Sequence, residues 1–276
     1  MQTTMQELIP LLTNTQIAFA FLGIVVLSLV ENLHPFFDFW RSSNTKRNRH
    51  YLKNLSIGLI NALVITLFFS GLWLWATIWS DQHTFGLLHW LEPFFGNFES
   101  PLRMLLAILF FDFWMYTWHR INHVIPFLWR FHKVHHSDPF MNVTTATRFH
   151  VGEIFFSSVL RIGILILFGM HLWELLIYEI VSVFVIQFHH ANIQLPEKID
   201  RFLRKIIVTP SLHKVHHSDW QPETDSNFGT LFSFWDSLFG TFRIRKNVQE
   251  IQLGLKEFKS EDSQRLDSIM KMPLKK

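Results

Sequence analysis

The sequence predicts an integral membrane protein, a helical bundle of about three spans plus a helical hairpin, whose histidines are concentrated on the cytosolic side. Three observations predict this fold class. Apolar residues make up 49% of the 276 residues and charged residues only 17%. Several uncharged runs are about 20 residues long, the length that a helix needs to cross a ~30 Å hydrocarbon layer. Twelve of the sixteen histidines fall between residues 119 and 217.

The first two predicted spans carry no charge at all. Residues 11–30 form the first, and no Lys or Arg precedes them, which argues against a cleaved signal peptide. Residues 55–79 form the second. Both runs are long enough to cross a bilayer as single helices.

The third span and the hairpin are less uniform. Residues 102–118 predict a third span, with Arg103 near its start and Asp112 inside it. Residues 154–188 are too long for one crossing and are interrupted by Gly169-Met-His171. This interruption predicts two helical arms that begin and end on the same side of the membrane.

Loop charges predict the orientation, because cytoplasmic loops carry an excess of Lys and Arg. Residues 34–54 hold five basic residues against one acid, Asp38, whereas residues 80–101 hold three acids and no basic residue. The first loop and everything from residue 119 onward, the hairpin apart, are therefore expected in the cytosol. The five basic residues are Arg41, Lys46, Arg47, Arg49 and Lys53, and the three acids are Asp81, Glu92 and Glu99.

Composition excludes several classes of protein. The chain has no cysteine, which excludes disulfides, thiolate zinc, iron–sulfur clusters and a cysteine nucleophile. The formal charge of +3 and the lack of any basic DNA-reading motif argue against a nucleic-acid partner. Intramembrane helices and clustered histidines indicate a metal or proton-transfer function instead.

The histidines form boxes with helical spacing. His119-Arg-Ile-Asn-His123 is an i,i+4 pair, and the heptapeptide HKVHHSD occurs twice, at 132–138 and 213–219. Imidazoles at i, i+3 and i+4 lie close together on a helix, and neutral imidazole is a good ligand for iron, zinc or copper. The repeated stripe therefore predicts metal binding, with enough rings for two ions.

Carboxylate-rich di-iron sites need a Glu-x-x-His on each of two helices, and only Glu31-Asn-Leu-His34 fits. That arrangement is disfavoured. Five other histidines are interpreted as surface or packing residues, since histidine is common in both settings: His34, His50, His83, His89 and His171.

These boxes resemble the HxxxH, HxxHH and HxxHH boxes of the fatty acid hydroxylase/sterol desaturase superfamily of membrane di-iron oxidases. Asp112-Phe-Trp-Met-Tyr-Thr-Trp-His-Arg120 resembles the family's approach to its first box. His190-Ala-Asn-Ile-Gln-Leu-Pro196 resembles the HSN-x-x-LP segment of bacterial members. Asn227-Phe-Gly229 and Trp235-Asp-Ser-Leu-Phe-Gly-Thr241 resemble the residues after the last box. The resemblance spans roughly residues 100–242.

The resemblance implies an all-α fold, with transmembrane helices topped by a cytosolic histidine-rich di-metal cap. The chain is expected to divide into N-terminal transmembrane helices and connecting loops over 1–99, a fatty acid hydroxylase-like di-iron domain over 100–242 and a cytosolic basic tail over 243–276. His150 matches a family position, but Val151 replaces the family's proline, which leaves its ligand role open. His189 is an alternative to His190. The implied ligands of two iron ions are His119, His123, His132, His135, His136, His190, His213, His216 and His217.

Four polar residues are candidates for orienting the ligands. Asp112 shares a helix face with His119 and His123 and is expected to accept a hydrogen bond from a ligand imidazole, or to pair with Arg103 or Arg120. Asn192, Asn227 and Asp236 are candidates for similar roles; Asn227 suits a turn equally well, and Asp236 a helix cap.

The leading functional hypothesis is an O₂-using lipid hydroxylase, with desaturation as a second outcome of the same chemistry. The substrate is expected to be an acyl chain, a sterol-like ring or another apolar lipid. No dinucleotide or haem-attachment motif occurs in the 276 residues. A separate electron donor is therefore expected: a ferredoxin, a cytochrome b5-type protein or a reductase.

Two other hypotheses differ in class. One is a membrane metal-binding or transport protein without oxygenase activity, although the first two spans lack ionisable residues. The other is an inactive lipid-binding homologue, although none of the eight box histidines is missing. Zinc is expected to be able to occupy the site in a purified sample. The identity of the lipid, the carbon attacked and the oligomeric state stay open.

Overall fold

A computed structural model describes residues 2–40, 43–95 and 100–275, except the side chains of residues 2–7 and 95. Arg41 and Glu99, two charges used above to predict the orientation, lie outside the described residues. The described chain is helical apart from loops, and its only extended pairings are two isolated bridges, Ile207–Phe232 and Ser218–Leu253. The predicted all-α class is confirmed.

Four helical segments are long and apolar enough to cross a membrane. The first lies in α1 (Gln2–Leu33). The second is a 39-residue run of α2 (Asn44–Val64), a π-helical turn (Ile65–Phe69) and α3 (Ser70–Gln82). The predicted spans 11–30 and 55–79 fall inside these helices, and the second helix begins eleven residues earlier than predicted.

The hairpin provides the other two segments, α7 (Val151–Phe168) and α8 (Leu172–His190). Its turn contains Gly169, whose φ of 66° favours glycine. The connection that follows α3 packs closely here, since a Cβ on Gly86 would lie 2.4 Å from the Gly169 nitrogen. Helix α8 is the most enclosed of the four. In its most apolar stretch 44% of the residues are buried, against 17% in each of the other three segments.

A nine-residue helix, α4 (Leu87–Phe95), precedes α5 (Pro101–Val124). Helix α5 confirms a helix over the third predicted span, but it is not among the four apolar segments. Arg103 and Asp112 make this helix less apolar than the other four segments. Both charged side chains are fully buried inside the bundle.

The cap consists of short helices at the end of the bundle where α5 and α8 finish. They are α6 (Pro126–His136), α9 (Glu197–Leu203), α10 (Pro210–His216), α11 (Gln221–Thr224), α12 (Phe234–Leu238) and α13 (Leu266–Met270). The tail is part of this cap: Ile269 and Met272 pack in one apolar cluster with Ile57 of α2 and Val134 of α6.

Contacts place the basic loop 34–54 at the cap end. Glu31, near the end of α1, accepts a hydrogen bond from the Val143 nitrogen at 2.7 Å. His50, near the start of α2, contacts Asp138 at 2.8 Å through Nε2. The end of α1 and the start of α2, which carries four of the basic residues, therefore lie on the same side of the bundle as the histidine boxes.

Candidate metal centre

Three helix ends deliver the histidine boxes to one place. His119 and His123 lie on the last two turns of α5, and Pro126 begins α6 directly afterwards. The two HKVHH copies occupy the last turns of α6 and α10, and each helix has proline in its first turn, where a missing N–H costs nothing. The repeat in the sequence is therefore a repeat of local structure.

The nine predicted ligands converge as two groups. In each, the candidate ligand atoms all lie within 4.8 Å of one another. The five-histidine group is His119, His123, His132, His136 and His216, and the four-histidine group is His135, His190, His213 and His217.

Each HKVHH copy divides its histidines between the two groups. His132 and His136 belong to the five-histidine group, whereas His135 belongs to the other. The second copy does the reverse, with His213 and His217 in the four-histidine group and His216 in the five-histidine group. Helical geometry explains the division: residues i and i+4 differ by about 40° around the axis, whereas i+3 lies about 100° from i+4.

The five-histidine group contains two nitrogen lone pairs that face each other. His119 donates from Nδ1 to the Phe228 carbonyl at 2.9 Å, and His216 donates from Nδ1 to the Ser226 carbonyl at 2.6 Å. A neutral imidazole with Nδ1–H has a bare Nε2. The two Nε2 atoms are 3.0 Å apart. Two lone pairs at this distance repel unless a cation is shared between them.

The four-histidine group has the same feature around His190. Its Nδ1 donates to the Ile186 carbonyl at 2.7 Å, which leaves Nε2 bare. That Nε2 lies 3.0 Å from the Nε2 atoms of both His135 and His213. Metal–nitrogen bonds are about 2.0–2.1 Å long, so nitrogens 3.0 Å apart are close enough for both to reach one ion.

Burial keeps the rings neutral and therefore able to bind a metal. Burial and neighbouring imidazoles hold the pKa values of His135, His136, His213 and His217 well below 6.5. Burial is also the main cause that lowers the pKa of His216 to about 3. Within the described part of the chain, both ring nitrogens of His217 are buried without a hydrogen-bond partner. Unpartnered nitrogens of this kind fit the binding of a cation.

The partners that orient the rings are mostly ones that the sequence did not reveal. His132 contacts Glu153 at 2.9 Å through Nδ1, and His123 contacts Asp225 at 3.3 Å. The other partners are the carbonyls of Phe228, Ser226 and Ile186 named above. Glu153 stands three residues after His150 at the start of an apolar helix, a signal that was available in the sequence. Nothing marked Asp225.

We expect Glu153→Ala to weaken metal binding about 10- to 100-fold, because a carboxylate that fixes a ligand imidazole contributes that much. Metal affinity of the purified protein, measured by competition with a chelator of known affinity, checks this. Glu250→Ala is the control, since Glu250 is exposed and contacts only Asn247 in the described chain. Equal affinities for the two variants would contradict the role of Glu153.

Asp112 differs from its predicted role. Its oxygens accept from Tyr178 Oη at 2.8 Å, the Leu231 and Phe232 nitrogens at 3.0 and 3.1 Å, and Trp235 Nε1 at 2.9 Å. In the described residues it contacts no ligand imidazole, and Arg103 pairs with Glu174 instead. The carboxylate faces a returning loop of the cap rather than the histidines, so it anchors that loop to α5.

The other three polar candidates also bind backbone rather than imidazole. Asp236 accepts from the Phe228 and Gly229 nitrogens at 2.7 and 2.8 Å, so it fixes the peptide whose carbonyl orients His119. Asn227 has a positive φ of 55°, and its side-chain amide both donates to the Arg243 carbonyl and accepts from the Arg243 nitrogen. These features are those of a turn residue. Asn192 bonds to Phe37. In the described residues, none of the three therefore bonds directly to a ligand imidazole, which differs from the role predicted for them.

The two uncertain histidines lie outside both groups. Both ring nitrogens of His150 are engaged: Nδ1 accepts from the Gly152 nitrogen at 2.9 Å and Nε2 faces the Met270 carbonyl at 3.1 Å. His189 packs on His213 with ring centroids 4.0 Å apart, and its Nδ1 is buried without a partner in the described chain. Proximity therefore favours His190 over His189.

Histidines interpreted as surface or packing residues lie apart from the two groups. His50 contacts Asp138, and the ring of His83 stacks on that of Trp79 with the two ring centroids 4.3 Å apart. His89 and His171 both contact Asp81 at the opposite end of the bundle. His34 is exposed.

A cavity of about 180 Å³, the metal-side cavity, borders both histidine groups. His119 and His132 line it from one group, and His135, His190 and His213 from the other. Its remaining wall is mainly apolar and includes Met115, Trp118, Phe149, Ile154 and Ile186. A ligand in this cavity would contact both groups at once.

Comparison with known proteins finds related chains. The fatty acid hydroxylase family model matches residues 104–241. Ornithine lipid hydroxylase OlsE of Rhizobium tropici is 27% identical over 84% of this chain and 68% of its own. Human alkylglycerol monooxygenase is 30% identical over 74% of this chain and 42% of its own. Human cholesterol 25-hydroxylase is 28% identical over 57% and 60%.

The chain thus spans roughly two thirds or less of the length of these relatives. No solved structure matches it.

Proposed function

Because this chain belongs to the fatty acid hydroxylase family, we propose that it is a membrane lipid hydroxylase whose clustered histidines hold two iron ions. One observation carries the metal assignment. The bare Nε2 atoms of His119 and His216 face each other at 3.0 Å inside the cap, and a shared cation accounts for that approach. The hydroxylase and monooxygenase activities of the relatives support lipid oxidation.

The five-histidine and four-histidine groups would each hold one ion. An iron pair held here would supply the O₂ chemistry that oxidises an unactivated C–H bond. The chain's own residues position the ligands: Glu153, Asp225 and the Phe228, Ser226 and Ile186 carbonyls fix the imidazoles in a single tautomer and orientation. Zinc also binds such sites and can replace iron in purified protein.

The metal-side cavity would receive the lipid. Its apolar wall excludes water and lets a hydrocarbon segment lie against both histidine groups. The enzyme would take lipid from the bilayer and electrons from a separate carrier, for which a ferredoxin, a cytochrome b5-type protein or a reductase are the candidate classes. Desaturation is the second outcome open to the same site.

The four apolar segments support a multi-pass membrane protein. The basic loop 34–54 lies at the cap end, so we propose that the histidine site is cytoplasmic. We also retain the division into membrane helices (1–99), catalytic domain (100–242) and tail (243–276) as a proposal.

Comparative lipid mass spectrometry of cells tests the function. Cells that express the protein are expected to contain lipids heavier by one oxygen, or lighter by two hydrogens, that are absent from cells without it. A variant with His135→Ala and His216→Ala, one ligand from each group, should yield neither. No new species with the intact protein, despite a full metal content, would favour the metal-binding alternative over the hydroxylase.

A further inference from the structure

An ion pair joins the two arms of the hairpin within their apolar length. Arg161 lies in the middle of α7 and Glu179 in the middle of α8, and Arg161 donates to a Glu179 oxygen through a terminal nitrogen. Gln16 of α1 donates to the other Glu179 oxygen at 3.0 Å. The two charged side chains are only 14% and 19% exposed. Charges at such depth are costly and usually serve a function.

The guanidinium of Arg161 lies close to two aromatic rings. Its central carbon lies 4.4 Å from the Trp73 ring centroid and 5.3 Å from that of Phe111. A guanidinium carries five N–H donors. Within the described residues, its hydrogen-bond partner is Glu179 alone. Donors therefore remain for another acceptor.

A second cavity of about 220 Å³, the ion-pair cavity, lies beside Arg161, and a ligand bound in it would supply that acceptor. Gln16, Glu179, Ser182 and Thr230 are among its lining residues. It shares Arg161 and three other residues (Met115, Ile186 and Thr230) with the metal-side cavity. Arg161 therefore stands where the two cavities meet, and together they exceed the ~300 Å³ lower limit typical of ligand pockets.

We propose that Gln16, Arg161 and Glu179 bind a neutral, oxygen-bearing group of the lipid, while its apolar part extends beside the histidines. This inference rests on the proposed function and defines its substrate class. The oxygen accepts from Arg161, and a hydroxyl or amide hydrogen can be donated to Glu179. The group is neutral because the charges of Arg161 and Glu179 already balance, and an added anion would leave an unpaired charge in the span.

The substrate is therefore a lipid with an ester, amide or hydroxyl group in its membrane-embedded part, and not a plain hydrocarbon. Three probes distinguish the sources of this oxygen: methyl palmitate, N-methyl palmitamide and cholesterol. Hexadecane and cholestane are their matched hydrocarbons. Binding is measured as the ligand-induced rise in Tm of the purified full chain in detergent, converted to an apparent Kd.

The test variant is Arg161→Met combined with Glu179→Gln, because removal of both charges avoids an unpaired buried charge that would prevent folding. Metal content equal to that of the unaltered protein shows that the variant is folded. Arg201→Met is the control, since Arg201 is an exposed cap residue whose side chain is 66% accessible.

The unaltered protein and the control are expected to bind at least one oxygen-bearing probe about tenfold or more tightly than its hydrocarbon, the effect of a hydrogen bond to a charged group. The double variant should lose this preference. Equal binding of probe and hydrocarbon by the unaltered protein, or an unchanged preference in the folded double variant, overturns the inference and leaves only a structural clamp between helices. Binding needs no turnover, so failure of the hydroxylase proposal is detected separately by lipid mass spectrometry.

Discussion

Replacement of His190 by alanine is expected to reduce the metal content from the proposed two ions per chain toward one, and the proposed lipid oxidation by at least ~100-fold. The Nε2 atom of His190 lies 3.0 Å from the Nε2 atoms of both His135 and His213, so its loss opens the centre of the smaller group. Loss of a residue that only orients a ligand costs about 10- to 100-fold, and loss of a ligand itself should cost more. Elemental analysis and lipid mass spectrometry measure the two effects.

Matched histidine variants give this experiment its controls. His34→Ala removes an exposed histidine and should change neither metal content nor product. His150→Ala should also retain both ions, because both nitrogens of His150 are engaged with the protein backbone. If the His190→Ala protein keeps two ions while the His189→Ala protein loses one, the assignment of the adjacent pair is reversed.

Replacement of Glu174 by alanine is expected to lower the free energy of unfolding by about 3 kcal/mol, because the buried Arg103 then keeps only one carboxylate partner in the described chain, the 34% exposed Glu92 at 3.2 Å. Arg103 is fully buried; its Nε donates to Glu174 at 2.8 Å, and a terminal nitrogen donates to the Gly169 carbonyl at 2.9 Å. Glu174 also accepts from the His171 nitrogen at 2.8 Å at the start of α8. Denaturant unfolding of the purified protein in detergent measures the loss.

Two further variants distinguish the loss of the Arg103–Glu174 ion pair from the general effect of a substitution on stability. Glu197→Ala removes an exposed carboxylate that pairs with Arg201 and Arg204, and it should cost at most about 1 kcal/mol. Arg103→Met with Glu174→Leu should recover much of the lost stability, because neither charge remains buried and unpaired. A double variant as unstable as Glu174→Ala would show that the hairpin turn depends on something other than this ion pair.

The sequence was sufficient for local features, because these depend on residues close together in the chain. Uncharged runs of about twenty residues located α1 and the α2–α3 run, and Gly169-Met-His171 located the hairpin turn. The HxxxH and HKVHH spacings located the rings on helix ends, because i,i+4 spacing puts two side chains on one face.

Only the tertiary structure decided how these pieces meet. The sequence could not show that each HKVHH copy divides its histidines between two groups, since that depends on how α6 and α10 are positioned against α5 and α8. Because Asp112 shares a helix face with His119 and His123, the sequence predicted a bond from a ligand imidazole to its carboxylate. The carboxylate instead binds a loop about 120 residues away. Glu153 reaches His132, and Glu174 reaches Arg103, through packing between different helices. Spacing along one helix fixes which side chains share a face, but partners on separate helices are fixed only when burial of apolar surface brings those helices together.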